Sequence, residues 1–180
     1  RERVESTQLA EALSFRLARS FDRARDPRAA AWRRLMTPVT KYWVTKIASP
    51  LIVEAMECLG GNGYVEEWPL AALYREAPVN AIWEGSGNVM SLDVLRVLQK
   101  EPEVAEFVTE ELRGACAGDA ALTAAFERLQ AVLYEPRLLD VRARQLVESL
   151  AKLAAAAILR SQGNAAVADA FIAPRIDGTA

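Results

Sequence analysis

The sequence predicts an all-α fold, a helical bundle with short loops. Ala, Leu, Glu and Arg dominate its 180 residues, and all four favour helices. Hydrophobic residues make up 52% of the chain and charged residues 26%, which is typical of a globular protein rather than of a disordered one. With only nine glycines and eight prolines, the chain offers few tight turns. A single core built from helices therefore follows from composition alone.

Two long helices are predicted first. The first covers residues 1–25, and one face carries an apolar side chain at every fourth position: Leu9, Leu13, Leu17 and Phe21. Asp26-Pro27 breaks this helix, and a second apolar pattern runs over residues 29–59. Pro38 and Pro50 lie inside the second stretch, and we expect a kink or a restart at each because proline removes an amide donor.

A glycine-rich corner, residues 60–63, ends the second helix abruptly. A short helix over Leu70–Glu76 follows. Residues 77–83 are predicted to be extended, because Pro78 disfavours α geometry in the residue before it. A further helix begins near Ser86 and runs to Lys100.

The remainder is predicted to be a helical extension, which divides the chain into residues 1–100 and 101–180. Its helices are expected over residues 102–116, from an N-cap at Asp119 to about residue 134, and from Pro136 to near Gly163. One last turn or two follows. The small side chains of Ala154–Ala157 would let a neighbouring helix approach closely.

Two cysteines and the absence of histidine exclude several kinds of site. Cys58 and Cys116 show neither metal-binding nor redox spacing, so we predict no metal site and interpret both thiols as buried and structural. Histidine-based acid–base catalysis is excluded within these residues, which leaves a carboxylate, lysine or tyrosine as the candidate base.

Targeting and membrane signals are not found in this sequence. No run of about 18 apolar residues indicates a membrane span, and no signal peptide is recognisable. We expect a cytoplasmic protein that does not cross a membrane. Because the chain begins with an arginine inside a helical pattern, we interpret it as part of a longer protein.

Charge is distributed unevenly although the net charge is only -2. Residues 1–46 hold 11 basic and 5 acidic side chains, and residues 101–180 hold 8 basic and 12 acidic side chains. Arg16, Arg19 and Arg23 share one helix face, where they could neutralise DNA phosphates. The simpler interpretation is a solvated helix face, and both interpretations stay open.

Two glycine-containing corners and one carboxylate are the candidate site. Gly60 and Gly61 follow a helix, and Ser86, Gly87 and Asn88 begin one, where free amide groups can hold an anionic group such as a pyrophosphate. Glu84 follows an apolar segment and Trp83. If it is shielded from water there, its pKa rises and it can accept a proton at neutral pH; otherwise it is a carboxylate stabilised by the following helix.

The segment from residue 54 to 98 resembles the C-terminal signature of the acyl-CoA dehydrogenases, and its wording resembles the AidB-like branch. That family ends one helix in Q-x-x-G-G-x-G-[FY] and begins another after [YW]-E-G-[TS]-x-[QN]. The corresponding residues here are 57–64 and 83–88, in the same order and at a similar separation. The resemblance implies an acyl-CoA dehydrogenase C-terminal-like bundle with extra helices after residue 100.

The resemblance also implies roles for individual residues. Glu84 corresponds to the base that removes the α-proton of an acyl-CoA, its N–H polarises the thioester carbonyl, and Gly85 lies against substrate. The positions that match FAD contacts are Ser86, Gly87 and Asn88, together with Glu57, Gly60 and Gly61, which reach the FAD of a neighbouring subunit. A homo-oligomer, either a dimer or a tetramer, is thereby implied. Position 57 departs from the family's usual glutamine, and a carboxylate there would repel a pyrophosphate.

Three functions follow as hypotheses. The first is an FAD-dependent acyl-CoA dehydrogenase that acts on a short or branched acyl-CoA. The second, implied by the AidB-like branch, is a flavin- and DNA-binding protein of the alkylation response in which dehydrogenation is vestigial. The third is an oligomerising helical module. In the first two, the family's N-terminal and central domains, absent from these residues, would complete the flavin and acyl pockets.

Overall fold

A computed structural model describes residues 2–133, 136–163 and 165–175. Within these ranges the chain forms helices joined by short turns, without strands, so the predicted all-α fold is confirmed. The helices are α1 (Glu2–Asp22), α2 (Pro27–Leu59), α3 (Gly61–Tyr64), α4 (Pro69–Asn80), α5 (Gly87–Lys100), α6 (Pro102–Cys116), α7 (Ala120–Leu133), α8 (Pro136–Ser161) and α9 (Ala165–Arg175).

The boundary between α1 and α2 lies at the predicted break. Asp26 is the N-cap of α2, and its carboxylate accepts a hydrogen bond from the N–H of Arg28 at 2.9 Å. Pro27 occupies the first helical position, where its missing amide donor is not needed. An N-cap side chain of this kind stabilises a helix by about 1 kcal/mol.

Helix α2 is the central helix of the bundle and contacts α1, α3, α4, α5, α6 and α8. Its first half supplies much of the core, with Trp32, Met36 and Val39 almost fully buried. Helix α2 continues through Pro38 and Pro50, so of the two alternatives expected there, a kink or a restart, the restart is not found. Packing on many sides outweighs the loss of a backbone hydrogen bond at each proline.

Helix α8 is the second central helix and contacts α1, α2, α5, α6, α7 and α9. Ala154–Ala157 are fully buried along it, which confirms that these small residues lie in helix packing. One continuous core extends from Leu9 to Ile172. The helices after residue 100 therefore pack into the same core as those before it, and the division at residue 100 stays a prediction.

Ion pairs join the basic helix α2 to Asp93 of α5, to Glu101 just after α5, and to the acidic helix α6. Arg34 of α2 binds Asp93 at 2.9 Å and Glu101 at 3.0 Å. Arg28 binds Glu110 at 3.0 Å. The uneven charge along the sequence is thus partly neutralised across the fold.

Two local expectations were wrong, namely that Phe21 lies in the core with the leucines of its helix face and that Cys58 is buried. Phe21 is 57% exposed, because it lies in the last turn of α1 with the guanidinium of Arg33 5.5 Å from its ring centroid. Cys58 is exposed because no residue of α2 after Trp43 is buried. Cys116 is buried as expected, and burial raises the pKa of its thiol to about 11, so the thiol stays protonated and unreactive.

The segment before Glu84 is helical rather than extended. Helix α4 continues to Asn80, with Pro78 inside its last turn. A residue before proline disfavours α geometry without excluding it, and here Ala77 is almost fully buried against the core. Packing therefore decided the conformation of this segment.

In the ranges given above, no helix is both long and apolar enough to cross a membrane. The same ranges contain no cluster of three or more acidic or cysteine side chains placed to hold a metal ion.

Candidate functional site

The turn between α4 and α5 has an unusual backbone at the predicted base. Glu84 has φ +54° and Gly85 has φ +115°, so two successive residues are left-handed. Glycine adopts such values freely, whereas for another residue the left-handed conformation costs about 1–2 kcal/mol. Glu84 is the one non-glycine residue with positive φ in the described part of the chain. Strain of this kind is often found at functional sites.

Lys41, in the middle of α2, binds the backbone of this turn through its side chain. Its Nζ donates to the carbonyl oxygen of Trp83 at 2.5 Å and to that of Gly85 at 2.6 Å. These two carbonyls flank Glu84 on either side. No local motif in the sequence marks Lys41, which lies more than 40 residues before the turn.

The amide of Glu84 faces the opposite way. The peptide bond between Trp83 and Glu84 is trans, so its C=O and N–H point in opposite directions. Because the Trp83 carbonyl points to Lys41, the Glu84 N–H points away from α2. No acceptor among the described residues receives that N–H. It is therefore available to bind an oxygen of another molecule.

The carboxylate of Glu84 lies on open surface, and Trp83 beside it is 59% exposed. The described residues therefore do not supply the shielding from water considered above. Ile82, Val89 and Leu92, which precede and follow this turn in sequence, are also exposed, as are Tyr64 and Trp68 near the first glycine corner. Exposed apolar surface concentrated in one region is typical of a surface that another domain, subunit or ligand covers.

The start of α5 presents polar groups. Ser86 is the N-cap residue, and its side chain makes no capping hydrogen bond. Asn88 accepts a hydrogen bond at its Oδ1 from Nε of Arg144 at 2.7 Å, which leaves its amide NH₂ free to donate. The serine hydroxyl, the asparagine NH₂ and the first amides of α5 fit an anionic group at a helix N-terminus.

Packing explains the glycine at position 87. A Cβ there would lie 3.0 Å from Cε of Lys46 and 3.2 Å from the ring of Tyr42. Gly87 thus lets α5 approach α2 closely, and a cofactor is not needed to account for it.

The glycines of the first corner differ in what they do. Gly60 has φ +57° and ends α2, with its N–H donating to the Glu57 carbonyl at 3.1 Å. A Cβ at Gly63 would overlap the backbone of Met56, so packing requires glycine there. Gly61 has open space around it. Nothing within this fold explains the small residue at position 61, which fits the approach of a ligand or a second subunit.

The two corners lie apart. Helix α3, in the first corner, contacts α2 and α4, whereas α5, after the second corner, contacts α2, α6 and α8. In the described ranges α3 and α5 have no contact with each other. Gly60 and Gly61 are therefore not part of one compact site with Ser86, Gly87 and Asn88. Glu57 is exposed beside the first corner.

The three arginines that could neutralise DNA phosphates, Arg16, Arg19 and Arg23, are only partly available for that role. Arg16 is ion-paired with Glu111 and its guanidinium lies 4.3 Å from the ring centroid of Trp32. Arg19 is exposed on α1, and Arg23 is exposed in the turn after it, so the helix face predicted for the three arginines was wrong for Arg23, because α1 ends at Asp22. Neither Arg19 nor Arg23 has an acidic partner among the described residues. Arg75, on α4, binds Glu66 through two hydrogen bonds of 2.6 and 2.8 Å. Those two side chains form a surface pair.

Comparison with known proteins identifies related chains. The family model "Acyl-CoA dehydrogenase, C-terminal domain" matches residues 4–99. AidB from Escherichia coli (strain K12) is 50% identical over 125 residues, which is 69% of this chain and 23% of AidB. Acyl-CoA dehydrogenase family member 11 from Caenorhabditis elegans is 49% identical over 71 residues, 39% of this chain and 12% of that protein.

Solved structures share the fold. Caenorhabditis elegans ACDH-11, crystallised in complex with C11-CoA, superposes with a TM-score of 0.85 at 28% identity and covers 96% of this chain. Bd2924 in its apo form gives a TM-score of 0.78 at 26% identity and covers 88% of this chain. The present chain spans 34% of ACDH-11 and 31% of Bd2924, so it corresponds to about a third of each.

Proposed function

The chain belongs to the acyl-CoA dehydrogenase C-terminal domain family, and on that premise we propose that its full-length protein is an FAD-dependent acyl-CoA dehydrogenase. Its substrate is a short or branched acyl-CoA, and it introduces a double bond between the α and β carbons. The observation that supports this proposal is the backbone at Glu84. An unpaired N–H and a carboxylate of the same residue project from a left-handed turn that is held on both sides.

In the proposed reaction Glu84 acts twice. Its N–H donates a hydrogen bond to the thioester carbonyl, which acidifies the α-carbon because negative charge develops on that oxygen. Its carboxylate then accepts the α-proton while the electron pair of the broken C–H bond enters the enolate. FAD, when bound, would supply the acceptor for the β-hydrogen, which leaves with its electron pair. Gly85 would lie against the substrate next to the base, and a Cβ there would overlap Cε of Met90, so the glycine also makes room for that side chain.

The proposed FAD contacts divide between two corners. Ser86, Gly87 and Asn88 hold one FAD through the polar groups at the start of α5. Gly60 and Gly61, on the separate corner, reach the FAD of a neighbouring subunit, and the open space at Gly61 supports such an approach. This arrangement requires a dimer or tetramer. The exposed Glu57 carboxylate fits a pyrophosphate poorly and is better suited to a hydroxyl or amide of the cofactor.

The decisive test is a titration of the full-length protein with a series of acyl-CoAs under anaerobic conditions, following the visible spectrum of its flavin. We expect one thioester to bleach the wild-type flavin. Glu84→Gln should slow bleaching by about a hundredfold or more, because a general base is lost while the shape of the side chain is kept. Equal bleaching rates for wild type and variant would rule out Glu84 as the base.

A second candidate is a flavin- and DNA-binding protein of the alkylation response, in which dehydrogenation is vestigial. Two observations support it: 50% identity to AidB, and the exposure of Arg19 on α1 and of Arg23 in the turn after α1. Arg16 contributes less, because Glu111 already neutralises it. Flavin that stays oxidised with every acyl-CoA would favour this second function.

Salt dependence of DNA binding tests the second candidate. If Arg19 and Arg23 each contact a phosphate, the double variant Arg19→Gln/Arg23→Gln should reduce the slope of log K against log salt by about 1.8. Arg75→Gln is the matched control, since Arg75 is paired with Glu66 on another surface. A slope unchanged in the double variant would show that Arg19 and Arg23 do not contact DNA phosphates.

A further inference from the structure

We propose that Lys41 is the positioning residue of the Glu84 turn, and that removal of the α-proton depends on it. This inference rests on the proposed function, because it assigns a task to Lys41 in the reaction of Glu84. Lys41 touches neither substrate nor cofactor in the proposal. It acts through the backbone on either side of the base.

The hydrogen bonds of Lys41 support this assignment. The Lys41 ammonium group lies within 2.6 Å of both the Trp83 and the Gly85 carbonyl oxygens. Two acceptors held by one donor fix the orientation of two peptide planes, and Glu84 lies between them. Its left-handed φ of +54° is thereby maintained against the preference of a residue with a side chain for other conformations.

Lys41 also sets the direction of the Glu84 and Ser86 amides. In a trans peptide the N–H points opposite to the C=O. Holding the Trp83 carbonyl directs the Glu84 N–H away from α2, and holding the Gly85 carbonyl does the same for the Ser86 N–H. Lys41 therefore sets the direction of the donor that would polarise the thioester and of a donor at the proposed FAD corner.

The positive charge of Lys41 has an electrostatic effect as well. A cation bound to a peptide carbonyl polarises that peptide and strengthens the donor at its other end. The Lys41 charge thus makes the Glu84 N–H a better partner for the negative charge that develops on the thioester oxygen. Lys41 itself is held in a well-packed part of α2, because its neighbours Thr40 and Tyr42 are buried.

The experiment separates proton removal from hydride transfer. A 3-thia-acyl-CoA carries sulfur in place of the β-carbon, so it can lose an α-proton but has no hydride to give. We would incubate the full-length flavoprotein with this probe in D₂O and measure α-deuteration by mass spectrometry. In the reaction the α C–H bond breaks, Glu84 takes the proton, and a deuteron from solvent returns to carbon.

We expect Lys41→Met, which keeps the aliphatic stem, to lower this exchange rate and kcat by about 10- to 100-fold. KM should stay within about twofold, and flavin content should stay the same. Lys41→Arg should recover part of the rate, because a guanidinium also donates to two carbonyls. Hydrogen exchange of the backbone over residues 81–88 should accelerate in Lys41→Met, since the turn is no longer held.

The control is Lys100→Met. Lys100 is an exposed lysine at the far end of α5, about 20 Å along the helix from Gly87 at 1.5 Å per residue. It should exchange the probe at the wild-type rate. Each variant's melting temperature is measured alongside, because a merely structural lysine would change stability without changing the rate of proton exchange.

The outcomes distinguish the positioning role of Lys41 from the proposed role of Glu84 as the base. If Lys41→Met exchanges the probe as fast as wild type while Glu84→Gln does not, the positioning role of Lys41 is overturned and the proposed function stands. If wild type and Glu84→Gln exchange equally, the proposed base is wrong and the task assigned to Lys41 falls with it.

Discussion

At the scale of single residues, Glu84 combines a functional proposal with a conformational cost. Its left-handed backbone is one that glycine would adopt without strain. A residue kept in such a conformation indicates that the turn serves something other than stability. The cost also allows stability and activity to be separated by substitution.

The first prediction compares two substitutions at this position in the full-length protein. Glu84→Gly should raise the melting temperature by about 1–2 °C, because a cost of about 1 kcal/mol is relieved and partly offset by the greater freedom of glycine when unfolded. Glu84→Gln, which keeps the strained backbone, should leave the melting temperature unchanged. Both should lose activity. A lower melting temperature for Glu84→Gly would show that the turn is not strained.

At the scale of helices, Asp119 and Arg160 form a network that joins α7, α8 and α9. The Asp119 carboxylate accepts from the Leu122 N–H at 3.0 Å, which caps α7, and it is ion-paired with Arg160 of α8. Arg160 also binds Asp169 of α9 at 2.6 Å. The predicted N-cap is thus confirmed, and the structure adds an ionic link between the last three helices.

This link gives Asp119 a lowered pKa. Burial alone would raise the pKa of the carboxyl, but the hydrogen bonds from Leu122 and Arg160 and the charge of Arg160 outweigh it and hold the pKa below its usual value. A carboxyl with a lowered folded-state pKa stabilises the fold above its unfolded-state pKa of about 4. This stabilisation is lost as the pH falls through the folded-state value.

The second prediction uses two variants of Asp119. Asp119→Ala should cost about 1–2 kcal/mol of unfolding free energy at pH 7, because both the cap and the ion pair are removed. Asp119→Asn keeps an acceptor for the cap and loses the titratable charge. The stability difference between wild type and Asp119→Asn, measured by urea unfolding, should shrink as the pH is lowered below about 4.

Glu127→Gln serves as the control for this series, since Glu127 is an exposed carboxylate on the same helix. Its stability should follow that of wild type at every pH. A difference between wild type and Asp119→Asn that stays constant down to pH 2 would contradict the role of the Asp119 charge.

At the scale of the whole molecule, two features point in different directions. One continuous core joins the helices before and after residue 100. In contrast, eleven of the fourteen exposed large apolar side chains in the described ranges lie between Leu59 and Leu92. The bundle is therefore complete on the side of α6–α9 and open on the side of α3, α4 and the Glu84 turn. The open side is where we propose that other domains and a second subunit pack.

The third prediction follows from the shared core. A fragment of residues 1–100 should not unfold cooperatively, because Leu35, Leu95 and Val97 would lose the cover of α6 and α8. Arg34 would also lose its partner Glu101. Circular dichroism during thermal unfolding measures this directly. A sharp transition for the shorter fragment, equal to that of residues 1–180, would identify residues 101–180 as an independent extension.

Local sequence signals placed most helix boundaries correctly. Asp26-Pro27, the Gly60 corner, Ser86 and Asp119 each carry their information within a few residues, because caps and turns depend on the backbone groups next to them. The same locality explains the errors. The end of α4 depends on how Ala77 packs, and the exposure of Phe21 depends on where α1 ends relative to its neighbours.

The all-α class and the approximate positions of the helices could be predicted from the sequence alone, whereas Glu84 and Ser86–Asn88 stay predictions that rest on a family resemblance. Three features could be recognised only once the helices were packed: Lys41 binds the Glu84 turn, the two glycine corners lie apart, and Glu111 neutralises Arg16. Helix periodicity and capping are short-range effects, so they can be recognised in one sequence. Contacts between residues 40 or more positions apart depend on how the helices pack, and that packing is a property of the entire chain.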